Sequence, residues 1–202
     1  HDLKTPLTRM KLALAMMTPN AELEALRSDI AEMEHMLDEY LAFARGEGGE
    51  DSVMTDLAAL VRDTATGVAR ARKNGAERLT VTGPDTAPES TYVSVKPAAL
   101  KRCLSNLVDN AFKHGRQVAV TLTRDERLAE IMIEDDGPGI PEAQREEAFR
   151  PFHRLDEGRN LQKGGSGLGL AIARDIARAH GGDIVLGQSA QGGLKATIRL
   201  PV

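Results

Sequence analysis

Tryptophan is missing from this chain, and aromatic residues of every kind make up only 3% of its 202 residues. Base-stacking platforms for single-stranded nucleic acid are therefore not expected. A basic excess is missing too: 26 Lys and Arg face 30 Asp and Glu, for a formal charge of −4. A binder of phosphate backbones needs the opposite balance, so no nucleic-acid partner is expected. The single cysteine, Cys103, excludes an internal disulfide and fits a reducing compartment. No apolar run approaches the roughly 20 residues that span a bilayer, and no signal peptide is recognisable. The chain reads as a soluble, cytoplasmic piece, with any membrane attachment left to segments outside it. What is present is ordinary for globular proteins: 41% apolar and 28% charged residues, enough for one large or two small domains.

The first 45 residues carry two helical patterns. Leu3, Leu7, Met10, Leu14 and Met17 step by four and three. Leu23, Leu26, Ile30, Met33, Leu37, Tyr40 and Ala44 step by three and four. Both keep the period of a helix packing seam. Thr18-Pro19-Asn20 breaks the first helix, because Pro19 lacks a donor and disfavours helix before it. The pair predicts an antiparallel hairpin, and a second copy would complete a four-helix bundle. Packing of the seam on the rest of the same chain is the alternative.

Arg45 to Asp51 is glycine-rich and charged, a flexible linker. The division is therefore a hairpin at 1–45, a linker at 46–52 and a mixed domain at 53–202. A helix is expected from Thr55-Asp56, either residue able to cap it. Leu79–Thr82 and Tyr92–Val95 alternate like strands. Pro97 suits the first position of a helix running to about His114. Val118–Leu122 and Leu128–Glu134 predict a hairpin of strands around Asp125-Glu126. A helix from Gly167 to about His180 and strands Ile184–Leu186 and Lys195–Leu200 close the chain. Strands grouped with helices predict an α+β class, with an α/β sandwich following the helical hairpin.

Three separated stretches carry the chemistry. On the predicted helix, Asn106 and Asn110 share a face with Lys113 and His114 at its end. An amide oxygen there suits Mg²⁺, which keeps water and phosphate oxygens in its other positions, so Asn110 is the candidate metal ligand. Taken alone, such residues are better read as merely lining a polar helix face. Asp135 ends the apolar run Ile131-Met132-Ile133 and leads into Gly137-Pro138-Gly139-Ile140. A carboxylate at a strand end accepts from the exocyclic amine of adenine, and the glycines let backbone pass close to the ring. An ordinary Asp-Gly turn is the competing explanation. Gly165-Ser166-Gly167-Leu168-Gly169 opens a helix and offers backbone amides to an anion. It matches neither a Rossmann fingerprint nor a Walker loop.

Taken together and in this order, the stretches resemble the N, G1 and G2 boxes of the GHKL ATPase fold, shared by histidine kinases, gyrase, Hsp90 chaperones and MutL. Phe149-Arg150-Pro151-Phe152-His153-Arg154 resembles the F box of histidine kinases. Leu155 to Gly164, with Arg159 and Lys163, resembles the lid that closes over phosphates. The resemblance implies ATP and Mg²⁺ as ligands. It implies contacts from Asn106, Asn110, Lys113, His114, Asp135, Gly137, Gly139, Ile140, Phe152, Arg154, Lys163 and Gly165 to Gly169, Ser166 and Leu168 included.

His1-Asp2-Leu3-Lys4-Thr5-Pro6-Leu7-Thr8 has no counterpart in gyrase-type members. It resembles the H box of HisKA-type histidine kinases, and further details, Gly192-Gly193-Leu194 among them, are similar to the EnvZ class. The resemblance implies that His1 takes the γ-phosphate of ATP, that Asp2 holds its tautomer and accepts its proton, and that Thr5 places a hydrolytic water. Thr5 as a helix cap with Pro6 at the first helical position is the alternative, leaving His1 to Lys4 frayed. The helical turns that precede the phosphoacceptor in that family fall outside this sequence, and a histidine at a chain end is expected to fray.

The resemblance further implies a homodimer, an OmpR-like response regulator receiver domain as partner, and a parent that is a bacterial inner-membrane sensor. Two other functions fit part of the pattern: an ATP-driven conformational switch without phosphotransfer, and a dimerisation scaffold with a degenerate nucleotide site. His35 is expected to face solvent. His180, in a helix's last turn, is expected to favour positive charge.

Overall fold

The computed structural model describes residues 4–17, 50–83, 91–153 and 167–202, together with positions 23, 24, 26, 27, 30, 31, 33, 34 and 37. The first helix, α1, spans Lys4–Ala15. Thr5 and Pro6 lie within the first turn of this span. Thr5 is thus helical rather than a cap standing outside the helix. Leu7 is buried and Leu14 half-buried, in phase with the predicted seam. Met10 and Met17, on the same seam, are exposed.

The described positions between 23 and 37 are all helical. Leu23 and Ile30 are buried there, while Leu26 and Met33 are half open to solvent. Arg27 Nη2 donates to the Leu14 carbonyl at 3.1 Å, and the Lys11 ammonium pairs with Glu34. Partner numbers rise on one side as they fall on the other, which is antiparallel pairing. The Pro19 turn, Leu3, His35, Tyr40 and Ala44 lie outside the described residues.

β1 (Val53–Asp56) pairs antiparallel with β3 (Tyr92–Val95). Sequence reading placed a helix start at Thr55-Asp56 and missed this strand, since four residues are too few to show a period. Asp56 ends β1 and caps α2 (Leu57–Arg70), its Oδ1 accepting from the Ala58 and Ala59 amides. The Ala59 amide, ahead of the Thr91 hydroxyl, holds the Asp56 carboxyl below the usual carboxylate range.

The main sheet has five strands in the order β2 (Leu79–Thr82), β4 (Val118–Arg124), β5 (Leu128–Asp135), β7 (Leu194–Pro201), β6 (Asp183–Gln188). β2 runs parallel to β4, and the remaining pairs are antiparallel. α3 (Pro97–His114) and α4 (Gly169–Ala179) join α2 in covering the sheet. One core results, with Leu57 and Val61 of α2, Leu100 and Leu104 of α3 and Ile172 of α4 buried against Ile131, Ile133 and Ile198.

The predicted helix from Gly167 begins two residues later, at Gly169. Gly167 has φ +69, outside the helical region and favourable to glycine.

The N-terminus of α3 is secured by side chains from distant parts of the chain. Glu50 accepts from the Ala98 and Ala99 amides at 2.7 and 3.0 Å, occupying donors that the helix itself leaves bare. His180 Nε2 accepts from the Lys96 amide at 3.0 Å, and its Nδ1 lies 2.7 Å from the Ile176 carbonyl. With Nε2 accepting from Lys96, Nδ1 is the ring nitrogen left to donate to the Ile176 carbonyl, so the His180 ring joins the end of its own helix to the start of α3.

Candidate functional site

The site is built where β5 ends. Along β5 the side chains Ala129, Ile131, Ile133 and Asp135 are buried in alternation, so Asp135 occupies the next core-facing position after three apolar ones. It is 2% exposed. Its Oδ1 accepts from the Gly137 amide at 2.8 Å and the Leu194 amide at 3.2 Å. Among the described residues both bonds fall on one oxygen, so Oδ2 is the atom available to a ligand. Burial pushes the carboxyl up, opposed by the Gly137 and Leu194 amides and by the nearby charge of His114.

Bare backbone surrounds this carboxylate because side chains would not fit. A Cβ on Gly193 would overlap the Asp135 carbonyl oxygen, Asp135 Oδ1 and the Gly137 nitrogen. One on Gly137 would crowd Asp135 Oδ1 and the His114 carbonyl, both at 2.8 Å. Gly115, just past α3, meets the Asp135 side chain in the same way. Gly139 has φ +68 and lies against the Gly193 carbonyl, with Ile140 half-buried beside it. The next residue, Asp136, bonds the Gln117 and Arg116 amides, and these hold its carboxyl below the usual range.

α3 brings its amides to the same end. Asn106 Nδ2 donates to the Gly169 carbonyl at 3.3 Å, joining the middle of α3 to the first residue of α4. Asn110 is half-buried one turn on, and Lys113 and His114 are exposed at the helix end. Leu168 is buried, anchoring the glycine stretch to the core.

Phe149 is buried beneath the Arg174 guanidinium, 4.3 Å from its ring centre. Phe152 is 59% exposed and holds φ +63. Its amide donates to the Gly167 carbonyl at 3.1 Å, so residues 152 and 167 meet. The two expected F-box phenylalanines therefore differ: one packs and the other faces out.

The structure thus unites Asn106 with Gly169, Asp135 with Gly137 and His114, and Phe152 with Gly167. Thr5 lies exposed on α1. His1, Asp2, Arg154, Lys163, Gly165 and Ser166 lie outside the described residues. Sequence reasoning missed Gly115 and the part of Gly193 and Leu194 in holding Asp135; two adjacent glycines before the last strand were the available signal.

The chemistry of Asp135 suits an adenine ring, since a buried carboxylate with one oxygen held by backbone amides keeps the other as an acceptor for an exocyclic amine. Among the described residues no group of three or more His, Cys, Asp or Glu is placed to hold a metal ion. A hard cation here would rest on Asn110 and phosphate oxygens. No helix among the described residues is long and apolar enough to cross a membrane.

Comparison with known proteins gives a consistent answer. Residues 95–202 match the family described as "Histidine kinase-, DNA gyrase B-, and HSP90-like ATPase". The sensor histidine kinase GtrS of Pseudomonas aeruginosa is 35% identical over 202 residues, covering all of this chain and 40% of its own length. The ATP binding domain of PrrB from Mycobacterium tuberculosis is 30% identical with a TM-score of 0.59, over 75% of this chain and 98% of that one. The histidine kinase domain of the Escherichia coli osmosensor EnvZ is 34% identical with a TM-score of 0.54, over 75% and 89%. The chain spans less than half the length of GtrS and of the Escherichia coli sensor kinase CpxA. With its buried Asp135, its glycine-lined walls and the paired amides of α3, the chain belongs to the histidine kinase-, DNA gyrase B- and HSP90-like ATPase family.

Proposed function

We propose that this chain is the catalytic core of a sensor histidine kinase. Residues 1–45 form the dimerisation and phosphotransfer hairpin, 46–52 the linker and 53–202 the ATP-binding domain. In this reading ATP is a substrate, and Asp135 Oδ2 accepts from the adenine amine. The backbone amides of Gly165 to Gly169 face the phosphates, with Lys113, Arg154 and Lys163 supplying positive charge. Mg²⁺, held by Asn110 and phosphate oxygens, supplies charge neutralisation at the polyphosphate.

His1 Nε2 attacks the γ-phosphorus in line, ADP leaves, and Asp2 receives the Nδ1 proton. The phosphate then passes to an aspartate of a response regulator receiver domain, OmpR-like by resemblance, docked near α1. Thr5, exposed on α1, orients a water for the reverse service, hydrolysis of the phosphorylated regulator. A homodimer is supported by the exposed seam residues Met10, Met17, Leu26 and Met33, which a second hairpin would cover. The parent is a bacterial inner-membrane sensor with this core in the cytoplasm.

The observation that carries the reading is the buried Asp135, one oxygen engaged by Gly137 and Leu194, in a chain whose helical hairpin opens on the H box. The deciding experiment incubates the chain and its His1→Ala variant with γ-labelled ATP and Mg²⁺. Acid-labile, base-stable label lost in the variant is expected. ATP turnover without label in either protein would overturn phosphotransfer and favour the ATP-driven conformational switch.

A further inference from the structure

Four polar residues of α3, Asn106, Asp109, Asn110 and Lys113, recur at three- and four-residue steps and so share one stripe. Three of them suit a polyphosphate: two neutral amides and a cation. Asp109 does not. An uncompensated carboxylate on that stripe repels the phosphates and competes for the lysine, and the structure shows how it is handled.

Arg72, just beyond α2, donates from Nη2 to Asp109 Oδ1 at 2.5 Å. The Arg72 guanidinium lies 5.4 Å from the centre of the Phe112 ring, so packing fixes it before it meets the carboxylate. Arg78 stands over the same ring at 5.1 Å but is turned to the Arg116 and Gly115 carbonyls. Lys113 Nζ, by contrast, is 3.9 Å from Asp109 Oδ2, at the limit of an ion pair. One cation is held close and the other loosely.

Side-chain exposures of 27% for Arg72, 43% for Asp109 and 37% for Lys113 keep the stability value of these pairs small. Their consequence is local charge. With Arg72 in place, Asp109 is neutralised from the side of α2 and Lys113 is released easily. Without Arg72, the carboxylate draws Lys113 and presents its charge to the site.

We propose that Arg72 is a positioning residue of the nucleotide site: by holding Asp109 it leaves Lys113 free to meet the phosphates of a bound nucleoside triphosphate. This rests on the nucleotide reading above and adds a residue that lies outside all three glycine and asparagine stretches.

The test is calorimetric titration of the chain with AMPPNP and Mg²⁺, alongside thermal melts. Arg72→Gln is expected to weaken binding by about threefold to tenfold. Asp109→Asn in that background is expected to restore affinity to within about twofold of the unsubstituted chain. Asp109→Asn alone binds as well as the unsubstituted chain or better. A purely structural bridge gives no such rescue, since its removal from either end is equally complete. Unchanged affinity in Arg72→Gln, persistent weakness in the double variant, or a loss in Asp109→Asn alone overturns the proposal. Should Arg72→Gln fail to fold, Arg72→Lys, which keeps a cation but loses the planar guanidinium held on Phe112, takes its place with the same expected weakening and the same rescue by Asp109→Asn. Absence of binding by the unsubstituted chain would overturn the nucleotide reading itself, and this inference with it.

Discussion

The Leu194 amide donates to Asp135 Oδ1 across the β5–β7 pair, at 3.2 Å and a separation of 59 residues. That bond draws the backbone of Gly193 so near to Asp135 that a side chain has nowhere to go. Gly193→Ala is expected to destabilise the fold by about 1–3 kcal/mol, the usual range for forced overpacking. Urea denaturation followed by circular dichroism would reveal it, together with weakened AMPPNP binding. An unchanged midpoint would show that the loop moves aside freely.

Asp135 itself sets stability against binding. Burial raises its folded carboxyl above the unfolded value, so its contribution is fully favourable only below about pH 3.9 and is lost as pH rises through the folded value. At pH 7 the ionised side chain is therefore a burden in the free protein. Asp135→Asn is expected to melt at the same temperature as the unsubstituted chain or higher at pH 7, the difference closing toward pH 4. Its affinity for adenine nucleotides is expected to fall by about tenfold or more, because an amide N–H turned to the adenine amine leaves donors facing one another. Melts at both pH values and one titration check this; a variant that binds ATP normally would remove Asp135 from the site.

Arg174 stacks on Phe149 and bonds Asp183 and Glu146, tying the turn that carries Phe149 to α4 and β6. The Arg174 guanidinium holds the Asp183 carboxyl down at about 2. A lowered carboxyl contributes above its unfolded value and is lost as pH falls through the folded one, so the window runs from about pH 4 down to about pH 2. Because Asp183 is 38% exposed, Asp183→Asn is expected to cost about 1 kcal/mol at pH 7, after allowance for solvent screening. Chemical denaturation at pH 7 and pH 3 should show the deficit shrinking; equal deficits would mean that packing, not charge, is responsible.

Glu50 clamps the first free amides of α3, the helix that bears Asn106 and Asn110. Glu50→Ala is expected to cost about 1 kcal/mol, as for loss of a helix cap. Hydrogen exchange at the Ala98 and Ala99 amides should accelerate while exchange in the middle of α3 holds steady. Uniform acceleration along the helix would point instead to global destabilisation.

Much of the fold was legible because it is encoded over short distances. Ile131, Ile133 and Asp135 alternate with the strand period, so the carboxylate's place on the buried face can be read from its neighbours. Asn106, Asn110 and Lys113 repeat with the helix period, which puts them on one face whatever α3 packs against. Pro97 at the first turn of α3 and Asp56 at the cap of α2 follow from local backbone chemistry. Strand β1 was not legible, because its pairing with β3 rather than its own pattern makes it a strand.

By itself, then, the sequence determined the longer elements, the order of the three glycine and asparagine stretches and the phase of the side chains within those elements, since all of these are settled by residues within a turn or two. Tertiary structure alone decided which glycine meets Asp135, which residue caps α3 and which cation holds Asp109. His180 reaches Lys96 across 84 residues and Arg72 reaches Asp109 across 37, and no local period records either contact. The protonated nitrogen of His180 and the spare oxygen of Asp135 follow from those distant partners, because a donor or acceptor is assigned only when the group opposite it is in place.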